Sequence, residues 1–492
     1  MAIPSVIGTE TEYGITVRHQ PDFNPTIASS LVVNSYQGGR VRVQWSFDEE
    51  TPGRDARGFG HESFGITEAD SGLVNVVLSN GARFYVDHAH PEYSSPECSD
   101  PLQAALYDKA GERVLAAAAR SVCQILRPGQ NLYIHKNNSD GKGNSYGYHE
   151  NYLLSRSLPF ADLIRYATTW LVTRQIFTGS GKLGSENGRP PVLYQITQRS
   201  DFFEEEVGLE TTLKRPIINT RDEPHGEPTK YRRFHVIIGD ANMSEVQTFI
   251  KLGTTSLLLS AIEDRAIPDA LELADPVEAT WRLSHDLSLS RPLAMADGSS
   301  ATALELQFRY FEWLSKYAEQ TRSKPVWADV IAEWGGVLED LESDFMRTSD
   351  RLDWTAKLRM LNAFRHRDGL DWNDPKLAMA ALQYHDIEPR KGLAYRLESA
   401  GALRRLFTDA DVDRATSDPP TDTRAYFRGR CVDRYSRSLV AANWDSLVFD
   451  IGEEPLKRVP MMEPLRGNKA LVGELLDASS EATDLIAALE GG

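Results

Sequence analysis

The sequence predicts an α+β protein with one large domain and a small C-terminal one. Segments that alternate apolar and polar residues, as half-buried strands do, gather in the first half: 5–17, 73–79, 82–87, 194–198 and 232–238. From Ser244 to about Leu406 the spacing becomes mostly helical, through 304–314 and 326–341. Pro419-Pro420-Thr421-Asp422 then breaks the run, and a short strand pattern (446–450) and a last helix (469–489) follow. The boundary is expected near 435, giving domains 1–435 and 436–492. A chain of 492 residues exceeds the size at which a single core keeps growing.

Each element has a local reason. In the first strand Glu10 and Glu12 share one face, because side chains alternate along a strand. From Pro21 to Gly72 the chain is rich in Gly, Pro, Asn, Ser and charge, with room for a short helix at 25–33. The stretch from about 34 to 72 reads as a long functional loop whose second half is not core. Ser79-Asn80-Gly81 joins 73–79 to 82–87 as a hairpin. Asp100-Pro101 opens a helix that runs to about Leu126 and stops at Arg127-Pro128-Gly129. Residues 136–150 are Gly/Asn-rich and read as loop, and 163–177 reads as helix. Thr178-Gly179-Ser180-Gly181-Lys182 lacks phosphate-loop spacing, since Leu183 follows the lysine, and reads as a flexible loop.

A hydrophobic content of 41% and a charged content of 25% are those of a soluble globular protein. The formal net charge of −17 argues against general nucleic-acid or anionic-membrane binding. Cys98, Cys123 and Cys431 are far apart and form no CxxC pair, which suits a reducing cytoplasm and excludes a thiolate zinc site. The N-terminus has no signal-peptide pattern, and no apolar run reaches the ~20 residues that a membrane-spanning helix needs.

The candidate chemistry lies on two strands. Arg83, Tyr85 and Asp87 share a face, with Ala82, Phe84 and Val86 opposite; Glu92 follows in the same run. Neighbouring carboxylates such as Glu10 and Glu12 repel unless a cation sits between them, and hard oxygen ligands favour magnesium, usually with nucleotide phosphates. His149 and Glu150 are possible further ligands. His88 and His90 have the spacing of a zinc pair, but thiolates and a second histidine pair are missing. Arg233 and His235 share a strand face, and Arg215, Arg221, Lys230, Arg232 and Arg233 form a basic stretch suited to phosphates or an acidic tail.

The runs GTETEYGI (from Gly8), NGARFYVDHAHPEYSSPEC (Asn80), KNNSDGKGNSYGYHENYLLSR (Lys136), QRSDFFEEEVGLETTLKRPIINTRDEPH (Gln198), YRRFHVIIGDANMSE (Tyr231) and PPTDTRAYFRG (Pro419) span essentially the whole chain. Together they resemble the enzymes that deamidate and remove the prokaryotic ubiquitin-like modifier Pup. These are relatives of the Pup ligases within the carboxylate-amine ligase superfamily, which is similar to glutamine synthetase. The resemblance implies a glutamine synthetase-like large domain, with a curved, mostly antiparallel sheet cradle packed by helices, plus a small C-terminal domain. It implies ATP and Mg2+ as cofactors, Pup and pupylated proteins as partners, and a cytoplasmic monomer.

Carried over by motif, Glu10, Tyr85 and Glu92 resemble magnesium ligands. Arg83, Ser95 and Trp444 resemble ATP contacts, and Asp87 resembles the catalytic aspartate. Glu12, His149, His235 and Arg233 join the metal and phosphate shell. The implied reactions are conversion of the C-terminal glutamine of Pup to glutamate, and cleavage of the isopeptide bond from that glutamate to a target lysine. Asp87 acts as nucleophile or as general base; the residues alone do not choose. The alternative is a Pup ligase that forms the isopeptide bond and consumes ATP. The long insertion after the first strand, ending in Thr51-Pro52-Gly53-Arg54-Asp55, and the short His88-Ala89-His90 turn favour the hydrolase, and a gating role for the insertion.

Overall fold

The computed structural model describes residues 2–491 other than 21, 37–42, 48–49, 52, 59–73 and 322–323. The α+β architecture is the expected one. A curled ten-stranded sheet runs in the order Tyr231–Val236, Tyr148–Ser155, Ile7–Glu12, His90–Ser94, Arg83–Asp87, Asn75–Val77, Val43–Trp45, Leu439–Ala442, Ser446–Phe449, Lys457–Pro460. Its pairings are antiparallel except for Val43–Trp45 beside Leu439–Ala442, which is parallel. One sheet face is apolar and packs on helices; the other is charged.

The apolar face is covered in three places. Phe84, Val86 and Tyr93 pack with the Pro101–Ile125 helix through Val114, Leu115 and Val122. That helix comes close because residue 111 is glycine: a Cβ there would lie 2.5 Å from the Tyr93 ring. Tyr152, Leu154, Phe234 and Val236 join a larger helical core around the buried Trp170, Trp334 and Trp354. The C-terminal strands, the Ala425–Tyr435 helix and the last two helices share a third cluster with Val43, Trp45 and Val77.

Several elements differ from the sequence expectation. The 5–17 segment is two strands in different sheets, Ile7–Glu12 and Gly14–Arg18, the second pairing with Asn131–His135. Tyr13 is buried between them and donates its N–H to the Pro91 carbonyl at 3.0 Å. A Cβ on Gly14 would lie 2.5 Å from the Tyr146 hydroxyl, so the chain changes sheet where only glycine fits. The loop expected over 34–72 contains the buried strand Val43–Trp45; its residues 59–72 lie outside the described residues. The 178–182 loop is packed rather than loose: Ser180 is buried, its N–H donates to Asp240, and Lys357 donates to the Ser180 and Gly181 carbonyls. The strand pattern at 194–198 is realised only as Tyr194–Gln195. The 163–177 helix is two, Phe160–Thr173 and Gln175–Thr178. The final helix is also two, Lys469–Ala478 and Ala482–Gly491, parted where Ser479 bonds back to Leu475 and Ser480 caps onto Asp484.

The Gly/Asn-rich stretch ends earlier than expected, and Tyr148–Ser155 is a strand with strictly alternating burial. Its pattern is masked because Glu150 occupies an inward position. Arg174, also fully buried, meets that carboxylate through two hydrogen bonds of 2.6 and 2.8 Å. Alternation therefore turns Glu150 away from the charged face and excludes it as a ligand beside His149. Removing one partner strands a buried charge, so Arg174→Met should lower stability by about 3–5 kcal/mol. The Arg174→Met/Glu150→Leu double variant should recover most of this. Chemical unfolding of both variants checks the pair; equal loss in single and double would rule out the charge argument.

Candidate active site

Strand register assembles the charged face. Ile7–Glu12 lies between Tyr148–Ser155 and His90–Ser94, placing Glu10 opposite His149 and Ser94, and Glu12 opposite Glu92. On the next pairing Glu92 faces Tyr85, Ser94 faces Arg83 and Asp87 faces His90. On the far side His235 faces Asn151. Directly opposed residues point the same way, so Glu10, Glu12, Arg83, Tyr85, Asp87, Glu92 and His149, from four strands, converge on one cleft of about 1070 Å³, with Asn151 and His235 beside it. The tight His88–Ala89 turn, with His88 in the left-handed region at φ 50°, folds Glu92 back beside Tyr85.

Two groups of ligand-type atoms form there, each within 4.8 Å of one another. The first is Glu12, Asp87 and Glu92. Burial and the charges of Asp87, Glu12 and Glu10 push the Glu92 carboxyl well above its usual range. Burial also acts on Glu12, but His90, its Nδ1 3.5 Å from the carboxylate, and the charges of His149 and Arg199 outweigh it and hold Glu12 at about 2. Burial pushes the Tyr85 phenol up, reinforced by Glu92. Packed carboxylates that oppose one another's ionisation are a donor set for a hard divalent cation. Asp87 is the accessible member, its side chain 40% exposed and its Oδ2 2.9 Å from His88 Nδ1; Glu92 is buried.

The second group is Glu10, His149 and His235. His149 Nδ1 lies 3.2 Å from Glu10, and Asn151 Nδ2 donates to Glu10 at 2.9 Å. Asn151 Oδ1 engages His235 Nδ1 at 2.8 Å, leaving His235 Nε2 buried without a partner. Burial and Arg233 hold His235 well below its ordinary pKa, so the ring is neutral, the form that binds a metal. The orphaned nitrogen and the adjoining carboxylate fit a cation. Asn151 was absent from the sequence-derived site; its only signal is its place two residues beyond His149.

A smaller cavity of about 80 Å³ lies on the other side of Glu10, which lines both spaces. Its walls include Ser95, Arg233, His225, Arg424 and Trp444, so three of the four expected nucleotide contacts meet there. Arg83 is in the large cleft instead, its guanidinium 4.0 Å from both the Trp45 and Tyr85 rings and 3.8 Å from Glu50. Trp444 packs edge-on against Trp45 at 5.1 Å. The basic stretch is dispersed. Arg215 and Arg221 line the cleft and Arg233 approaches Glu10 at 3.7 Å, whereas Lys230 pairs with Glu463 and Arg232 is buried beside Phe160. His88 and His90 serve different carboxylates, Asp87 and Glu12, rather than one zinc ion. Described parts of the long insertion reach the site: Thr51 N–H donates to Glu223, and Ala56 N–H to the Thr220 carbonyl.

Groups that orient a ligand through its second atom tune metal affinity by about 10- to 100-fold. Asn151→Ala should therefore weaken Mn2+ binding by roughly that factor without unfolding the sheet. Titration followed by electron paramagnetic resonance checks this; unchanged affinity would remove Asn151 from the site.

Among the described residues no helix is long and apolar enough to cross a membrane. Residues 5–448 match the model of the Pup-ligase protein family. The chain is 50% identical over 99% of both chains to a protein from Acidothermus cellulolyticus named depupylase. It is 49% identical, over 98% of both, to a Pup deamidase/depupylase of Mycolicibacterium smegmatis. Among solved structures it resembles the ligase PafA in complex with Pup, at 32% identity and a TM-score of 0.81, covering 99% of this chain and 95% of that one. It also resembles the Pup ligase PafA bound to ADP, at 36% identity and a TM-score of 0.75, covering 82% and 89%. With residues 5–448 matched by the family model and half of its residues identical over nearly its whole length to a relative, the chain belongs to the Pup-ligase protein family.

Proposed function

We propose that this protein hydrolyses the side-chain amide of the C-terminal residue of Pup. It would convert a terminal glutamine to glutamate and cleave the isopeptide bond from that glutamate to a lysine of a modified protein. The observation that carries the reading is the full-length identity of about half to proteins named depupylase and Pup deamidase/depupylase, against 32% to 38% to Pup ligases. Both reactions add water across one amide: the C–N bond breaks, the acyl carbon gains oxygen, and nitrogen leaves as ammonia or as a lysine amine.

Ser95, Arg233, Trp444 and Arg83 would hold ATP, in keeping with the ADP-bound relative. Glu10, Glu12, Glu92, Tyr85, His149 and His235 would hold Mg2+. Bound there, Mg2+ would supply positive charge that polarises an amide carbonyl. Residues 436–492 would form the small domain that brings Trp444 to the nucleotide, the insertion would gate the cleft, and the enzyme would work as a cytoplasmic monomer.

Asp87 is the reactive carboxylate in this reading, because it alone of its cluster is both accessible and oriented by a neighbour, His88. It either attacks the carbonyl carbon or takes the proton of an attacking water; in both routes Arg83 faces the developing negative charge.

Incubation with Mg2+, ATP and Pup ending in glutamine, read by intact mass, should show amide-to-acid conversion without stoichiometric loss of ATP. Conjugation of glutamate-ending Pup to lysines, with ATP consumed, would identify a ligase instead. Asp87→Asn should lower turnover by at least about 10²-fold while nucleotide affinity is retained. Near-native turnover in that variant would displace Asp87 from the chemistry.

A further inference from the structure

A substrate that reacts through the side chain of its terminal residue carries its α-carboxylate a few bonds from the reacting amide. The cleft that must receive it is lined with carboxylates, Glu12, Asp87 and Glu92 among them. An unscreened α-carboxylate would be repelled there, so a cation on the cleft wall is required.

The cleft arginines divide by position. Arg83 is committed to Glu50 and its aromatic neighbours. Arg221 also lines the cleft, and its Nε is likewise buried without a partner, but no hydrogen bond or ion pair anchors its guanidinium among the described residues, and its charge acts on Glu223, Arg233 and His235. Arg199 is buried, with Nη1 donating to the Ile237 carbonyl and Nε to Ser145 Oγ. Arg215 differs from all three. It is half-buried on the cleft wall at the start of the Arg215–Asn219 strand, and Nη2 donates to the Ser145 carbonyl at 2.8 Å, which fixes the guanidinium plane. Its Nε is buried without a partner. Glu12 and Glu204 are the carboxylates whose charge reaches it, yet neither lies within 4.0 Å. Arg215 is thus an anchored fork with no carboxylate of its own among the described residues, held on the Glu12 side of the cleft.

Resting on the hydrolase reading above, we propose that Arg215 binds the α-carboxylate of the substrate's terminal glutamine or glutamate, and so restricts the enzyme to chain-terminal residues. Planar guanidinium and carboxylate groups match as a two-point fork, which lysine cannot reproduce. Arg215 is a specificity residue here; it touches no reacting atom.

The test uses two versions of full-length Pup, one ending in glutamine and one ending in 4-aminobutanamide, which keeps the side-chain amide and lacks the α-carboxylate. The wild-type enzyme should favour the glutamine form on the order of 10- to 100-fold in kcat/KM. Arg215→Met should raise KM for the glutamine form by a similar factor, with little change for the other, collapsing the preference. Arg215→Lys should restore part of it. Affinity of both forms for the Asp87→Asn protein, read by fluorescence anisotropy, should show the same ratio. If wild type converts both forms equally, or Arg215→Met weakens both equally, Arg215 does not read the α-carboxylate while the hydrolase reading stands. If wild type converts neither form and neither binds, both readings fall.

Discussion

The site depends on mutual repulsion held in place by strand register. Glu10, Glu12, Glu92 and Asp87 lie on one sheet face because three adjacent antiparallel strands pair in a single register. A shift of one residue in any of them would turn its carboxylates into the helical core. The consequence is visible in Glu92, whose burial among like charges pushes its carboxyl up, while Glu12 stays ionised beside His90, His149 and Arg199. Such a face is unfavourable by itself and becomes favourable with positive charge delivered to it, as a bound divalent cation would deliver.

The register in turn needs the apolar face to be firm. Gly111 lets the long helix settle on Tyr93, and the buried Glu150–Arg174 pair pins the strand that carries His149 and Asn151. The C-terminal segment is tied to the same frame by Glu97, which burial would push up but Arg428 and Arg424 hold at about 2. Arg428 also donates to the Gly81 and Trp444 carbonyls. One buried guanidinium therefore joins the hairpin turn before Arg83 to the tryptophan that walls the small cavity.

Charge is sorted across Glu10 and Glu12. Arg233 lines the small cavity, while Arg199, Arg215 and Arg221 line the open cleft. A protein with a formal charge of −17 thereby carries two separate groups of arginines beside these carboxylates. Net charge carries no information about such an arrangement, since the arginines involved are few and mostly buried.

The sequence by itself determined the fold class, the hairpin at Ser79-Asn80-Gly81, the long helix from Pro101 and the shared face of Arg83, Tyr85 and Asp87, because each follows from spacing within a dozen or so neighbouring residues. Its long motifs also identified the family. Only the tertiary structure decided that the first strand turns away at Tyr13, that Val43–Trp45 joins strands almost 400 positions later, and that Glu150 points inward while Asn151 holds Glu10 and His235 together. It likewise scattered a basic stretch that looks continuous in one dimension. The reason is physical: local patterns report which way a side chain faces, but the partner that makes a buried Glu150 tolerable, or a strand as short as Val43–Trp45 stable, comes from a distant part of the chain.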